Sequence, residues 1–431
     1  VYKFLADGLK LFPSEVDFES RKLRGAGFGI DVLPALVGVG YICGTRVSSY
    51  LLSGAVLGWL VLMPAFVLVG GDNILFPATR AIGTLTTWEL WGNYIRYIGA
   101  GAVAAGGIIS LVKALPLIVT TFRKAVRGYG NTGRERTERD IPMRYVIIGI
   151  VAILLFLCVM PQIRLSAPMA LFIAVFGFFF ATVSARMVGL VGSSNNPVSG
   201  MAIATLLLAS FVLKLTGQTG LKGMTVAISM GTVICIVAAM AGDTSQDLKT
   251  GFIVGATPWK QQVGELIGAV VSGLAIGGVL YLLQAAWSFG DPELPAPQAT
   301  LMKLVVEGVM GDYLPWGLIL IGVFIAVAVE IVGIPVLPFS IGLYLPIHLS
   351  TAIMVGGLLR AFYERKKNEA YVQDGILFSS GLIAGEGLIG ILLAVTAVLG
   401  VSAKFDLSGR GISLGAAGSL AAFLSLLVIM I

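Results

Sequence analysis

Four carboxylates stand inside or beside long apolar runs of this chain. Glu386 lies in SSGLIAGEGLIGILL, flanked by small residues, and Glu330 lies in FIAVAVEIVGIPVLP. Glu265 sits near the start of VGELIGAVVSG, and Asp31 opens GIDVLPALVG. Arg186, in FATVSARMVGLVG, is the matching isolated cation. In apolar surroundings desolvation disfavours the ionised carboxyl, so such a group can take up and release a proton. Glu386 is therefore the first proton-coupling candidate and Glu330 the second. The alternative for each is a buried pair with an arginine or a backbone group that only fixes packing.

Two polar strings could contact a solute. Residues 193–201 read SSNNPVSGM between two apolar runs. Pro197 breaks or starts a helix, Asn195 and Asn196 suit a helix cap, and Ser199 and Gly200 allow close backbone approach. One reading is a broken helix whose free N–H groups meet an anionic group. The other is a plain interhelical turn. Residues 242–262 read GDTSQDLKTGFIVGATPWKQQ. Asp243 and Asp247, spaced i, i+4, share a face if the stretch is helical, and Lys249 could partly neutralise them. This stretch reads either as a gate with substrate and cation contacts at a membrane edge or as a solvated cytoplasmic loop. The one histidine, His348 in LYLPIHLSTAI, reads first as a packing residue.

These side chains need scaffolding elements, and composition names their kind. The 431 residues are 57% hydrophobic and 12% charged, against about 25% charged in soluble domains. Apolar runs near membrane-spanning length recur throughout, at approximately 27–44, 47–70, 94–122, 145–163, 167–192, 199–216, 223–241, 263–288, 313–333, 336–360, 375–400 and 411–431. None shows the alternation of barrel strands, so the expected fold is all-α, a polytopic transmembrane bundle of roughly 12 apolar segments. Residues 289–312 fall between segments, and 1–24 read as a polar surface stretch. The net charge of +6 sits in loops, which favours cytoplasmic loop bias over nucleic-acid binding. Three scattered cysteines imply neither disulfides nor a metal cluster. Enzyme signatures are thin: neither HExxH nor GxSxG occurs, and Gly242-Asp243 lacks the partner motif of an intramembrane aspartyl protease.

The basic loops at 123–144 and 360–367 both favour the cytoplasm, yet seven segments separate them. Two loops on one side need an even number of crossings, so at least one segment is broken, double or re-entrant unless one loop defies the bias. GIDVLPALVG (29–38) also matches GIPVLPFSIG (333–342), 304 positions on, and GAVAAGGIISL (101–111) resembles GLIAGEGLIGI (381–391). The expected organisation is one transmembrane domain over 1–431, with repeat copies at 29–122 and 333–431 and a site at the repeat interface. A period near 304 residues would place the first copy of SSNNPVSGM before Val1, which suggests a missing N-terminal part.

Taken together, SSNNPVSGMAIATLL, AGDTSQDLKTGFIVGATPWKQQ, VLPFSIGLYLPIHLST and SGLIAGEGLIG resemble the oligopeptide transporter (OPT) family in its prokaryotic form. The resemblance runs at least from about residue 140 to 400. It implies a secondary transporter coupled to protons, whose eukaryotic relatives import small peptides, glutathione-like compounds or metal–nicotianamine-type chelates. Asn195, Asn196, Pro197, Ser199 and Gly200 match one motif of the family; Asp243, Thr244, Ser245, Gln246, Asp247 and Lys249 match another. The expected function is proton-coupled symport of small oligopeptides or peptide-like metal chelates across the inner (plasma) membrane. Another polar organic solute or a channel is the alternative, with an intramembrane enzyme behind both. No cofactor is implied. Metal would enter chelated, because no His/Cys cluster exists. A homo-oligomer is compatible with the sequence.

Overall fold

The computed structural model describes all residues except 21, 128–134, 164, 192–197, 291–293, 295, 312–314, 367–368 and 431. After an N-terminal turn at Phe4–Gly8, β1 (Glu15–Glu19) and β2 (Gly27–Asp31) form an antiparallel hairpin. α1 (Pro34–Val56) runs through wider π-type turns at Leu57–Leu62 into α2 (Met63–Gly70). Then come α3 (Thr87–Leu90), α4 (Arg96–Arg127), α5 (Met143–Val159), α6 (Ala167–Val191) and α7 (Val198–Leu215). α8 (Gly220–Ile253), α9 (Pro258–Ala286), α10 (Pro297–Met310) and α11 (Trp316–Ile331) follow. α12 (Val336–Tyr344), α13 (Ile347–Lys366), α14 (Glu369–Val398), α15 (Ser402–Phe405) and α16 (Gly415–Met430) complete the chain. Six helical stretches among the described residues are long and apolar enough to cross a membrane: Pro34–Gly70, Arg136–Val159, Ala167–Arg186, Gly220–Ile253, Pro258–Ala286 and Tyr371–Val398. The all-α transmembrane architecture stands, with one small hairpin added: β1 lies in the stretch read as polar surface and β2 at the start of the apolar segment expected at 27–44.

The chain forms two compact units. The first comprises Val1–Ala105, Gly278–Pro297 and Pro315–Ile431. Its central feature is a pair of interrupted helices. Pro34 starts α1, where its missing N–H costs nothing. Gly44, at φ 81° and ψ 168°, breaks α1 after three turns, a conformation open to glycine and costly to other residues. The second interruption lies at Leu345-Pro346, where Leu345 turns extended (ψ 151°) and Pro346 cannot continue a helix. The apolar segment expected at 336–360 is thus two helices, α12 and α13.

These broken helices pack antiparallel through their backbones. A Cβ at Gly40 would lie 1.8 Å from the Ile353 carbonyl oxygen, and one at Gly356 2.0 Å from that of Val37. Beyond the break, a Cβ at Gly54 would lie 2.0 Å from the Phe339 oxygen, and one at Gly342 1.8 Å from that of Leu51. One constant antiparallel register runs through all four contacts, from Val37–Gly356 to Gly54–Phe339. Such close backbone approach is how small residues join helices in membranes. Around it, Trp59, Met63, Ile82, Leu90, Ile98 and Leu343 form a buried cluster; truncating a fully buried Trp59 would cost about 3–5 kcal/mol. A second cluster, with Phe12, Val16, Val32, Val37 and Phe423, lies beneath the hairpin.

The second unit comprises Gly106–Gly277 and Gln298–Leu314. α6, α7 and α8 bury Phe180, Leu206, Leu213 and Ile234 together. α10 adds Val306 and Met310. Sequence reading left α10 as a connection because it is amphipathic: Leu301, Val305, Val306 and Met310 face inward, while Lys303 and Glu307 form an outward ion pair. α8 also runs past its expected end at 241. GDTSQDLKTG is helical through Ile253, not a loop. α9, apolar and of membrane length, has no buried residue, as suits a helix facing lipid.

Candidate functional site

The start of α1 is where the first unit concentrates charge. β2 ends at Asp31, whose Oδ1 accepts the Leu33 N–H at 2.7 Å. This side-chain turn directs the chain into Pro34, and Asp31 is only 7% exposed. Glu386 reaches the same point from α14: its Oε2 accepts the Ala35 N–H at 2.7 Å. A carboxylate on the free N–H groups of a helix start is favoured by the helix dipole. Its Oε1 stands 3.6 Å from Lys3 Nζ, and Lys3 also pairs with Asp7 at 2.8 Å. Glu386 is thus bound on both oxygens.

Asp31 is in a different position. Glu15 is its strand partner across the hairpin. Burial pushes the Asp31 carboxyl up, the Leu33 hydrogen bond opposes this, and Glu15, Glu386 and Asp7 add repulsion; the result is about 7, from an ordinary 3.8. Burial works against the charge on Lys3, yet Asp7, Glu386 and Asp31 outweigh it and hold its ammonium above the usual lysine range. Asp31, which precedes the first spanning helix, is thus held well above the usual carboxylate range, while Glu386 is capped and ion-paired.

His348, in the first turn of α13, stands beside the second helix interruption and is 1% exposed. Its Nε2 bonds Asp17 Oδ1 on β1. Its ring stacks on Trp88, with centroids 5.1 Å apart and planes at 14°, and meets Trp59 edge-on at 5.5 Å. Gly29, opposite Asp17 in the hairpin, makes room: a Cβ there would lie 2.0 Å from Nε2. The histidine expected to be a packing residue is packed and also bonded to Asp17.

The remaining predicted residues divide by region. Asn195, Asn196 and Pro197 lie outside the described residues. Ser199 and Gly200 fall in the first turn of α7, which begins at Val198. In the second unit, Asp243, Asp247 and Lys249 are exposed on α8. The two aspartates share a face through their i, i+4 spacing, and Lys249 Nζ rests 5.0 Å from the Phe252 ring centre. Thr244 donates to Glu265 Oε2 at 2.7 Å, joining α8 to α9. Gln261 Nε2 donates to the Asp247 carbonyl at 3.1 Å. The end of the basic loop docks on the same corner: Arg136 donates to Thr257 Oγ1 at 2.9 Å and to the Gly255 carbonyl at 2.7 Å. Glu330 lies in the last turn of α11, partly buried, rather than in mid-helix. Arg186 is exposed on α6. Among the described residues no group of three or more His, Cys, Asp or Glu side chains could hold a metal ion.

Sequence reading missed Lys3, Asp7 and Asp17. The signal for the hairpin was present in SEVDFES and GFGID, two short runs around a charged turn with glycine, compatible with strands.

Sequence relatives place the chain in a family. The family model described as "OPT oligopeptide transporter protein" matches residues 10–397. A Haemophilus influenzae protein named as an oligopeptide transporter is 33% identical over 84% of this chain and 65% of its own length. A metal-nicotianamine transporter by name from Oryza sativa is 22% identical over 92% of the chain and 60% of its own length. One so named from Arabidopsis thaliana is 24% identical over 87% of the chain and 60% of its own length. The chain therefore spans a little under two thirds of the length of these relatives. With its membrane-length helices and a match over most of its residues, the chain is a multi-pass membrane protein and belongs to the OPT oligopeptide transporter family.

Proposed function

We propose that this protein is a secondary active transporter that moves small oligopeptides or peptide-like metal chelates across the inner (plasma) membrane by symport with protons. The observation that supports this most is the charged group at the start of α1. A membrane-length helix, α14, sends Glu386 to the first turn of an interrupted helix, beside a buried Asp31 whose carboxyl titrates near neutrality. Ionisable groups at interrupted membrane helices mark ion pathways. Proton coupling runs through this group, with Glu330 a second candidate. Asn195, Asn196, Pro197, Ser199 and Gly200, with Asp243, Asp247 and Lys249, are proposed to contact solute. The names of the relatives support the substrate class.

The repeat copies at 29–122 and 333–431 belong to this reading as an inverted pair within one transporter domain. The matching runs GIDVLPALVG and GIPVLPFSIG lead into α1 and α12, and these two elements pack antiparallel, Gly54 against Phe339 and Gly342 against Leu51. Antiparallel copies of a spanning element are related by an axis in the membrane plane.

The test is uptake into proteoliposomes with an imposed pH gradient, using labelled trialanine and an iron(III)–nicotianamine chelate. Gradient-driven accumulation of either supports the reading. Flux down the solute gradient alone, indifferent to pH, would make the protein a channel. Accumulation of neither probe but of another polar solute would keep a transporter and discard the substrate class.

A further inference from the structure

The His348–Asp17 pair has no role in the proposed coupling through Glu386 and Asp31, with which it shares Glu15 as a charged neighbour. Burial of the ring, 1% exposed, works against a charge on it, yet four features of its surroundings fit an imidazole that takes up a proton. Its Nδ1 has no hydrogen-bond partner. Nε2 is committed to Asp17. An ionised Asp17 can only accept, so Nε2 carries the hydrogen and the lone pair of the neutral ring sits on Nδ1. The faces that enclose the ring are indoles, Trp88 stacked and Trp59 edge-on, and an aromatic face attracts a cation. Asp17 is half exposed, which puts water in reach of the pair.

The charged groups on the two hairpin strands and on α3 are acidic. β1 contributes Glu15, Asp17 and Glu19, and β2 contributes Asp31. Glu19 accepts from Thr87 at the start of α3. α3 contributes Glu89, which caps its own helix start at Thr86 and pairs with Arg80. The turns at Leu57–Leu62 bring only Trp59 to the ring. An imidazolium here would face carboxylates and indoles.

We propose that His348 is a proton-binding site of this transporter, that Nδ1 takes the proton, and that the resulting imidazolium, held by Asp17 and the two tryptophans, fastens the β1–β2 hairpin to the start of α13. One N–H bond forms at Nδ1, the proton comes from water, and nothing else is made or broken. Loss of the proton leaves a neutral ring with a weaker hold on Asp17. The hairpin would then be free to move from the point where α12 and α13 meet. A role in coupling rests on the symport reading; the proton site itself does not.

The chain has one histidine, so a protein labelled at histidine gives a single imidazole signal. Magnetic resonance of that label in nanodiscs, from about pH 5 to 8, reads its protonation directly. The expected result is reversible titration of the wild-type ring that Asp17→Asn measurably displaces. A ring that keeps one protonation state throughout, or a midpoint that Asp17→Asn leaves in place, would overturn the site. In proteoliposomes with trialanine and the iron(III)–nicotianamine chelate, Asp17→Asn and His348→Gln should each cut gradient-driven accumulation at least tenfold. Full accumulation in the half-exposed Asp17→Asn variant would overturn the coupling role, even if His348→Gln fails to fold. Failure of the wild-type protein to accumulate either probe would count against the symport reading, while the histidine titration would still decide the site.

Discussion

Glu386 and Ala35, 351 positions apart, are joined by a 2.7 Å hydrogen bond in which the carboxylate accepts the N–H of the first turn of α1. The bond ties a membrane-length helix to the start of a broken one. The same carboxylate holds Lys3 at 3.6 Å, so the N-terminal turn is anchored to the same point.

Removing the Glu386 carboxylate leaves the Ala35 N–H and Lys3 without it. Glu386→Ala should cost about 1.5–3 kcal/mol, the range for a hydrogen bond to a charged group. Glu386→Gln can still accept from Ala35 and should cost less. Thermal unfolding in detergent reads the order; an alanine variant as stable as wild type would show that the bond does not hold this end of α1.

Asp31 carries a pH signature. Its folded-state value of about 7 lies above the ordinary 3.8, so the folded protein binds the extra proton between those limits. Its contribution to stability is fully present below the lower value and is lost as pH rises through the upper one. Asp31→Asn should flatten the pH dependence of Tm across that window and gain on wild type above neutral pH. Parallel Tm curves for the two proteins would contradict this.

The antiparallel crossing leaves no room for a methyl group. Gly40→Ala and Gly342→Ala each place Cβ 1.8 Å from a carbonyl oxygen, which backbone must move to relieve, at about 1–3 kcal/mol or more. Gly273→Ala on α9, where a Cβ meets nothing, is the control and should be neutral or slightly stabilising. Unfolding of the three variants side by side decides it.

In the second unit, Thr244→Val removes the hydroxyl that Glu265 accepts and leaves a partly buried carboxylate short of a donor. A loss of about 1–3 kcal/mol is expected, read as a lower Tm. No change would place the α8–α9 attachment in the Arg136 and Gln261 contacts instead.

Composition and run length made the membrane architecture legible, because the bilayer imposes one length and one hydrogen-bonding solution on each span. Glu386 was legible for the same reason: a charge within an apolar run needs a partner. The partners were not. Lys3 and Asp17 lie in a polar N-terminal stretch that reads as surface, and they meet α14 and α13 only through tertiary folding, 331 positions apart for Asp17 and His348. The break at Gly44 was legible as the boundary between the apolar runs 27–44 and 47–70, whereas the break at Leu345-Pro346 was hidden inside the single apolar run 336–360. α10 was hidden because its amphipathic face is too short and too polar for a membrane rule.

The central claim is that solute and proton move together. It is tested most directly by measuring both fluxes at once, with a pH-sensitive dye inside proteoliposomes and labelled trialanine or the iron(III)–nicotianamine chelate outside. With no pH gradient imposed, solute entry should acidify the lumen, in step with uptake. Solute entry that leaves the internal pH unchanged would contradict proton-coupled symport.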